Sequence, residues 1–165
     1  MKENIERLMS NKRKAKKYLA DTFSFPVKNP LIGVFLEKDL SKEQSETLDQ
    51  ILTACKALEI EIVVLGKNLP YNRKNRSLLL DGADAALTFE FNDVQEMLLH
   101  GTIPVSGERS EVKDYNPNHE TGNAFLFKDE NVWHIFASIV RALETFKFPY
   151  DWRNIIRHGL DSVEV

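Results

Sequence analysis

The 165 residues, 42% hydrophobic and 28% charged, have the composition of an ordinary globular domain. A chain of this size buries about 68–70% of its unfolded surface, so it supports one core and leaves no room for two full enzyme lobes. The composition argues against disorder or a collagen-like repeat, and no apolar run approaches the roughly 20 residues that cross a bilayer. A formal charge of -3 gives no global reason to expect nucleic acid or an anionic membrane as partner. Cys55 is the single cysteine, which excludes an intrachain disulfide and a cysteine-cluster zinc site. Met1 is followed by Lys2, Glu3, Asn4 and Glu6 rather than an apolar stretch, so a cytoplasmic location is expected, with the sequon at Asn75, Arg76 and Ser77 unmodified.

In chain order, Ile5, Leu8, Met9, Ala15, Tyr18 and Leu19 fall on a helical stripe. The basic run Lys12, Arg13, Lys14, Lys16, Lys17 is then expected on the solvated face opposite, with anion or partner binding as the alternative. Pro26 and Pro30 bracket a linker, and residues 31–36 read as a continuous apolar strand buried on both faces. Ser41, with Gln44 three residues later, forms a capping box for a helix carrying Leu48, Ile51, Leu52, Cys55 and Leu58. A second apolar strand at residues 60–65 completes a right-handed βαβ unit. The polar stretch 67–76 reads as loop, and residues 77–80 as one or two helical turns. Next come a strand at 85–89, a helix capped by Asn92, and a strand at 102–105. A long loop, 106–122, leads to a fifth strand at 123–127, a helix capped by Asp129 reaching about Phe146, and a final helix at 150–158. Alternating strands and helices predict one α/β domain over residues 1–165, with an open parallel sheet covered on both faces.

In such a sheet the ligand crevice lies beyond the carboxyl ends of the strands, here after Leu36, Leu65, Phe89, Val105 and Phe127. Gly66-Lys67 lacks the upstream glycine and the following serine or threonine of a phosphate loop, and Gly33 stands alone inside its strand, so a dinucleotide fingerprint is absent. His100, His119, His134 and His158 fall on different elements without i,i+4 pairing, and no metal site is expected. Ser106 and Ser110 flank Gly107 without a nucleophile elbow. Trp133 and Trp152 are expected to pack in the core or at its rim. Glu90 and Glu96, at a strand end and in the next helix, either reach the crevice or simply complement that helix's dipole.

Taken together these segments resemble the C-terminal, nucleotide-sugar-binding lobe of bacterial glycogen and starch synthases, retaining glycosyltransferases of the two-lobed GT-B fold. His100-Gly101-Thr102-Ile103-Pro104-Val105 looks like the family's tyrosine-glycine-threonine-isoleucine-proline-valine strand. Asp114-Tyr115-Asn116-Pro117 and Thr121-Gly122-Asn123-Ala124-Phe125 follow in the family's order. Upstream, Gly82-Ala83-Asp84 and Phe89-Glu90 resemble the segments flanking the donor-site strand. Pro30-Leu31-Ile32-Gly33-Val34 and Val63-Val64-Leu65-Gly66 match the first two strands. The resemblance runs from about Lys12 to Asp161. It implies a three-layer Rossmann-like domain. Removing the family's third strand, for which there is no room between Gly66 and Gly82, leaves five strands in the flavodoxin-like order 2-1-3-4-5, with the crevice between the strands ending at Leu36 and Phe89.

The departures from the family bear on function. Glu37 stands where the resemblance places a donor-phosphate arginine, whereas Lys42 matches the accompanying lysine. The turn that engages the donor sugar is reduced to Glu90-Phe91-Asn92-Asp93, and the glycine-rich loop after the fourth strand to Gly107-Glu108-Arg109. Each lost transition-state donor costs about 2.7–4 kcal/mol. Without the family's acceptor lobe, positioning worth roughly 7–11 kcal/mol is absent as well. The expectation is at most weak binding of ADP-glucose or UDP-glucose through Lys42, Glu90 and Gly107, no catalytic residue, no cofactor, and no glucose transfer by this chain alone. Two other readings stand beside it. One is a subunit of a split transferase, joined to an acceptor-lobe protein or a second copy through an apolar face formed by residues 4–19 with Trp152, Ile155 and Ile156. The other is a non-catalytic interaction module, favoured if Glu37, Glu108 and Glu111 make the crevice negative.

Overall fold

The apolar runs pair side by side. In a computed structural model describing residues 2–163, β1 (Leu31–Phe35) is flanked by β2 (Glu61–Leu65) and β3 (Ala85–Leu87), and β4 (Ile103–Ser106) and β5 (Phe125–Leu126) extend the sheet. The order is β2-β1-β3-β4-β5 and every pairing is parallel. This is the expected Rossmann-like arrangement. Pro104 sits in an interior strand without breaking it, because β5 begins only opposite Val105 and no ladder bond is needed from residue 104 on that side.

Alternation along the strands divides the core in two. Ile32, Val34, Leu87, Ile103 and Phe125 point to one face, where α2 (Lys42–Cys55), α5 (Val132–Phe146) and α6 (Pro149–Val163) cover them. Leu31, Phe35, Val63, Leu65 and Ala86 point to the other, under α1 (Lys2–Phe23), α3 (Arg73–Gly82) and α4 (Val94–Leu99). Gly33 permits the close seating of α3 on β1, since a Cβ there would stand 3.1–3.3 Å from Phe35, Leu79 and Ala83.

Local signals explain most helix starts. The Ser41 capping box forms as expected. Elsewhere the capping residue is one the sequence reading passed over. Asn72, not the region near Ser77, caps α3, which therefore begins at Arg73 and turns much of the supposed loop into helix, with Leu79 and Leu80 inside. Asp93 rather than Asn92 caps α4, and Asn131 rather than Asp129 caps α5. Asp129 instead accepts from the Asn131 amide at 3.0 Å and lies 2.7 Å from His134 Nδ1. The third strand is shorter than expected because the Asn92 side chain accepts from Phe89 N at 2.8 Å; the fifth is shorter as well, and ahead of it the Asn123 side chain accepts from Lys113 N at 2.8 Å.

The basic run does not form a uniform solvated face. Arg13, Lys14 and Lys17 are exposed, but Lys12 and Lys16 turn inward and are buried. Of the residues expected to form an apolar docking face, Ile5, Leu19, Trp152, Ile155 and Ile156 are buried within the chain, each at most 5% exposed, whereas Tyr18 is 57% exposed. Trp133, expected to pack, is 73% exposed.

Candidate functional site

Beyond the carboxyl ends of β1 and β3, the crevice is occupied by the protein's own side chains. Glu37 leaves the end of β1 and accepts from Arg76 Nε at 3.1 Å, Asn92 Nδ2 at 3.2 Å and the Tyr71 hydroxyl at 3.3 Å. The guanidinium of Arg76 also engages Glu96 through both terminal nitrogens, with Nη1 3.2 Å from Oε2 and Nη2 on Oε1. One cation thus bridges two carboxylates, each partner being only partly exposed. The hydrogen bond to Glu96 foremost, with further help from Glu37, raises the Arg76 pKa against the opposing effect of burial. The same contact holds the Glu96 carboxyl below its ordinary value. The Tyr71 hydroxyl is pushed up, first by burial and then by the adjacent Glu37 charge.

Asn92 is the hinge of this arrangement. Its side chain donates to Phe35 O at 3.0 Å and to Glu37 while accepting from Phe89 N, so it locks the end of β1 to the turn after β3. From β4 the loop returns Arg109, whose Nη1 donates to Asn92 O at 2.9 Å and, more weakly, to Phe89 O at 3.4 Å. Arg109 also pairs with Glu111 at 3.6 Å. Phe89 and Phe91 stack at 5.5 Å and stiffen the turn further. Among the charges expected to make the crevice negative, Glu37 and Glu111 therefore face guanidinium groups.

The residues singled out in the sequence occupy the rim. Glu90 is exposed and accepts from Gln44 Nε2 at 3.0 and 3.4 Å. Its neighbour Glu130 has a raised pKa, chiefly from burial and then from the Glu90 charge. Lys42, exposed in the first turn of α2, makes no hydrogen bond or ion pair among the described residues. Gly107 follows β4 with an ordinary negative-φ backbone, and a Cβ there would meet only Phe127 at 3.5 Å, so nothing in the backbone demands glycine. Glu96 belongs to the partly exposed Arg76 network, so it is neither a free crevice group nor simply a dipole partner. Among the described residues no group of three histidine, cysteine, aspartate or glutamate side chains is placed to hold a metal ion.

Arg76, Tyr71, Asn92 and Arg109 were missed from the sequence as site residues. For Arg76 a signal was available: Asn72 as a cap puts Arg76, Leu79 and Leu80 on one helical face. The network makes a stability prediction. Arg76→Ala strands two partly buried carboxylates and is expected to cost about 1–3 kcal/mol in urea unfolding, less than a fully buried pair because water reaches both acids. Adding Glu37→Gln should recover part of that loss; a double variant no better than the single one would show that the ion pairs do not couple.

Comparison with known proteins adds a similarity to this geometry. Glycogen synthases from Caldicellulosiruptor bescii and Caldicellulosiruptor saccharolyticus are each 21% identical to the chain over 183 residues, covering 91% and 92% of it. This chain is similar to glycogen synthases. A glycogen synthase from Fervidobacterium nodosum is 31% identical over 67 residues, 38% of the chain. The chain spans 38% of the length of the two Caldicellulosiruptor glycogen synthases. No family model matches it. With the glycogen synthase resemblance, the parallel sheet and its helices on both faces make this a glycosyltransferase-like lobe.

Proposed function

We propose that this glycosyltransferase-like lobe has a donor crevice closed by its own side chains and that it acts as a non-catalytic module, without transferring glucose. The observation that carries the reading is the bridge from Glu37 through Arg76 to Glu96. A nucleotide sugar brings a diphosphate, and a diphosphate needs cations that are free to meet it. Here the one guanidinium beside the end of β1 already serves two carboxylates, and the carboxylate of Glu37 adds repulsion at the same place. Arg109, the other nearby guanidinium, is held on the Asn92 carbonyl. Lys42 alone among the expected contacts carries an unengaged positive charge, and an exposed lysine contributes little by itself.

The same network favours a non-catalytic module over a split transferase. An acceptor lobe supplied by a second chain would add a wall to the cleft, but it would not release Arg76 from Glu37 and Glu96. The decisive measurement is an isothermal titration of the protein with ADP-glucose and with UDP-glucose. No saturable heat up to millimolar ligand is expected for either. Saturable binding that disappears in Lys42→Ala would overturn the proposal and restore Lys42, Glu90 and Gly107 as a working donor site.

A further inference from the structure

A larger opening lies at the other end of the strands. A cavity of about 1050 Å³ is bounded by Pro30, Ile60 and Asp84, the residues just before β1, β2 and β3, and by α1 and the junction of α5 with α6. The Glu37 network is at the opposite, carboxyl edge of the sheet, so the two sites do not overlap. The floor is apolar, formed by Leu58, Ile60, Leu143, Phe146 and Trp152. The volume is slightly above the range typical of small-molecule clefts, which are mostly apolar with a few convergent polar groups.

Charge is distributed unevenly around this floor. Two of the cavity's cations are already engaged: Lys16 with Asp84 at 2.8 Å, its ammonium also 5.0 Å from the Phe146 ring centroid, and Lys147 with Glu144 at 3.1 Å. Lys12 is consumed in the wall, donating to Asp81 O, His100 O and Thr102 Oγ1 at 3.0–3.1 Å. Three cations at the mouth, Arg13, Lys17 and Lys28, are exposed and form no ion pair among the described residues. Arg13 and Lys17 are one helical turn apart on α1, so both stand on the same side of the opening. Against them the lining holds a single acid outside those ion pairs, Glu59. An apolar chamber with a cationic mouth selects a ligand with an apolar body and an anionic head.

We propose that this cavity binds a free amphipathic anion, a hydrocarbon chain ending in a carboxylate or phosphate, with the chain over Leu58, Phe146 and Trp152 and the head between Arg13, Lys17 and Lys28. The site is independent of the donor crevice, and its test does not depend on the outcome there. Trp152 lines the cavity and the protein has one other tryptophan, so a Trp133→Phe background makes Trp152 emission a local reporter. Dodecanoate and dodecyl phosphate, kept below their micelle concentrations, should shift that emission saturably, whereas dodecyltrimethylammonium should bind about tenfold or more weakly. In the same background Arg13→Gln/Lys17→Gln/Lys28→Gln, which changes only exposed side chains, should weaken the anions by about tenfold and leave the cationic amphiphile unaffected or improved. No saturable shift, equal affinity for the two signs of head group, or an unchanged affinity in the triple variant would each overturn the proposal. Capture by phosphatidylglycerol vesicles without binding of the monomeric anions would overturn it too, because the basic rim would then be reading a membrane surface.

Discussion

Lys12→Ala is expected to destabilise the fold by about 3–5 kcal/mol, measured by urea unfolding at neutral pH. The ammonium is buried where the carboxyl ends of α3 and α4 converge, and it donates to the terminal carbonyls Asp81 O at 3.0 Å and His100 O at 3.1 Å. Its third partner is Thr102 Oγ1 at 3.1 Å, and that hydroxyl in turn donates a hydrogen bond to Leu80 O at 2.6 Å. A cation is the natural group at two helix carboxyl termini, whose last carbonyls have no intrahelical donor. Truncation removes the donor and the aliphatic stem together, leaving polar orphans around a void.

Lys12 also predicts a pH dependence of definite sign. Burial foremost lowers its pKa to about 8, against the raising influence of Asp84 and then Asp81, from an ordinary value of 10.5. Below pH 8 the lysine is charged in both states, and the cost of burying that charge is fully present. Between about 8 and 10.5 the unfolded chain holds a proton the folded one has released, so stability rises with pH through this window. Relative to Lys12→Ala the wild type should gain on the order of 3 kcal/mol across it, read from unfolding at a series of pH values. A flat difference between the two proteins would mean that the buried amine does not titrate there.

Gly122→Ala should have an effect at least as large, about 4 kcal/mol or more, seen calorimetrically as a fall in Tm of roughly 10 °C or more. Gly122 has φ +107°, a region that L side chains rarely adopt, and a Cβ there would lie 2.4 Å from Asp114 O and 2.6 Å from Tyr115 Cα. Both obstacles are backbone, and they are held in place. Tyr115 N donates to Ala124 O at 2.8 Å, Arg141 clamps the Asp114 carboxylate at 3.2 Å, and His158 Nδ1 lies 3.1 Å from Gly122 O. The loop cannot move aside without giving up the approach to β5. A Tm unchanged by this substitution would falsify the claim that the 114–124 crossing is rigid.

The fold was legible because its determinants are local and repeated. Unbroken apolar runs such as Leu31 to Phe35 have no polar face to turn to water, so they must be interior parallel strands, and the Ser41 capping box marks the helix between the first two. Where side chains compete for the same backbone groups, local reading failed. Asn92 and Asp93 both suit a cap, and so do Asp129 and Asn131; which one serves depends on whether the other is needed elsewhere, as Asn92 is by Phe35 O across the sheet. Helix α3 was read as shorter than it is because Arg73, Lys74 and Arg76 look like a solvated loop until Asn72 is seen to cap it.

By itself the sequence determined the parallel α/β sheet; its resemblance to glycogen synthases implied the strand order and a replacement of arginine by glutamate at about Glu37. Only the tertiary structure decided what that replacement does. Glu37 and Arg76 are 39 positions apart, Arg76 and Glu96 are 20 apart, and no local pattern records that one guanidinium will satisfy both acids. The same holds for the five-residue basic run, which reads as one charged face. Packing sends Lys12 to the ends of two helices and Lys16 to Asp84, and leaves Arg13 and Lys17 at the mouth of a cavity. Periodicity along a chain is set by the helix itself, whereas the partner of a charge is set by whatever the rest of the fold brings within reach.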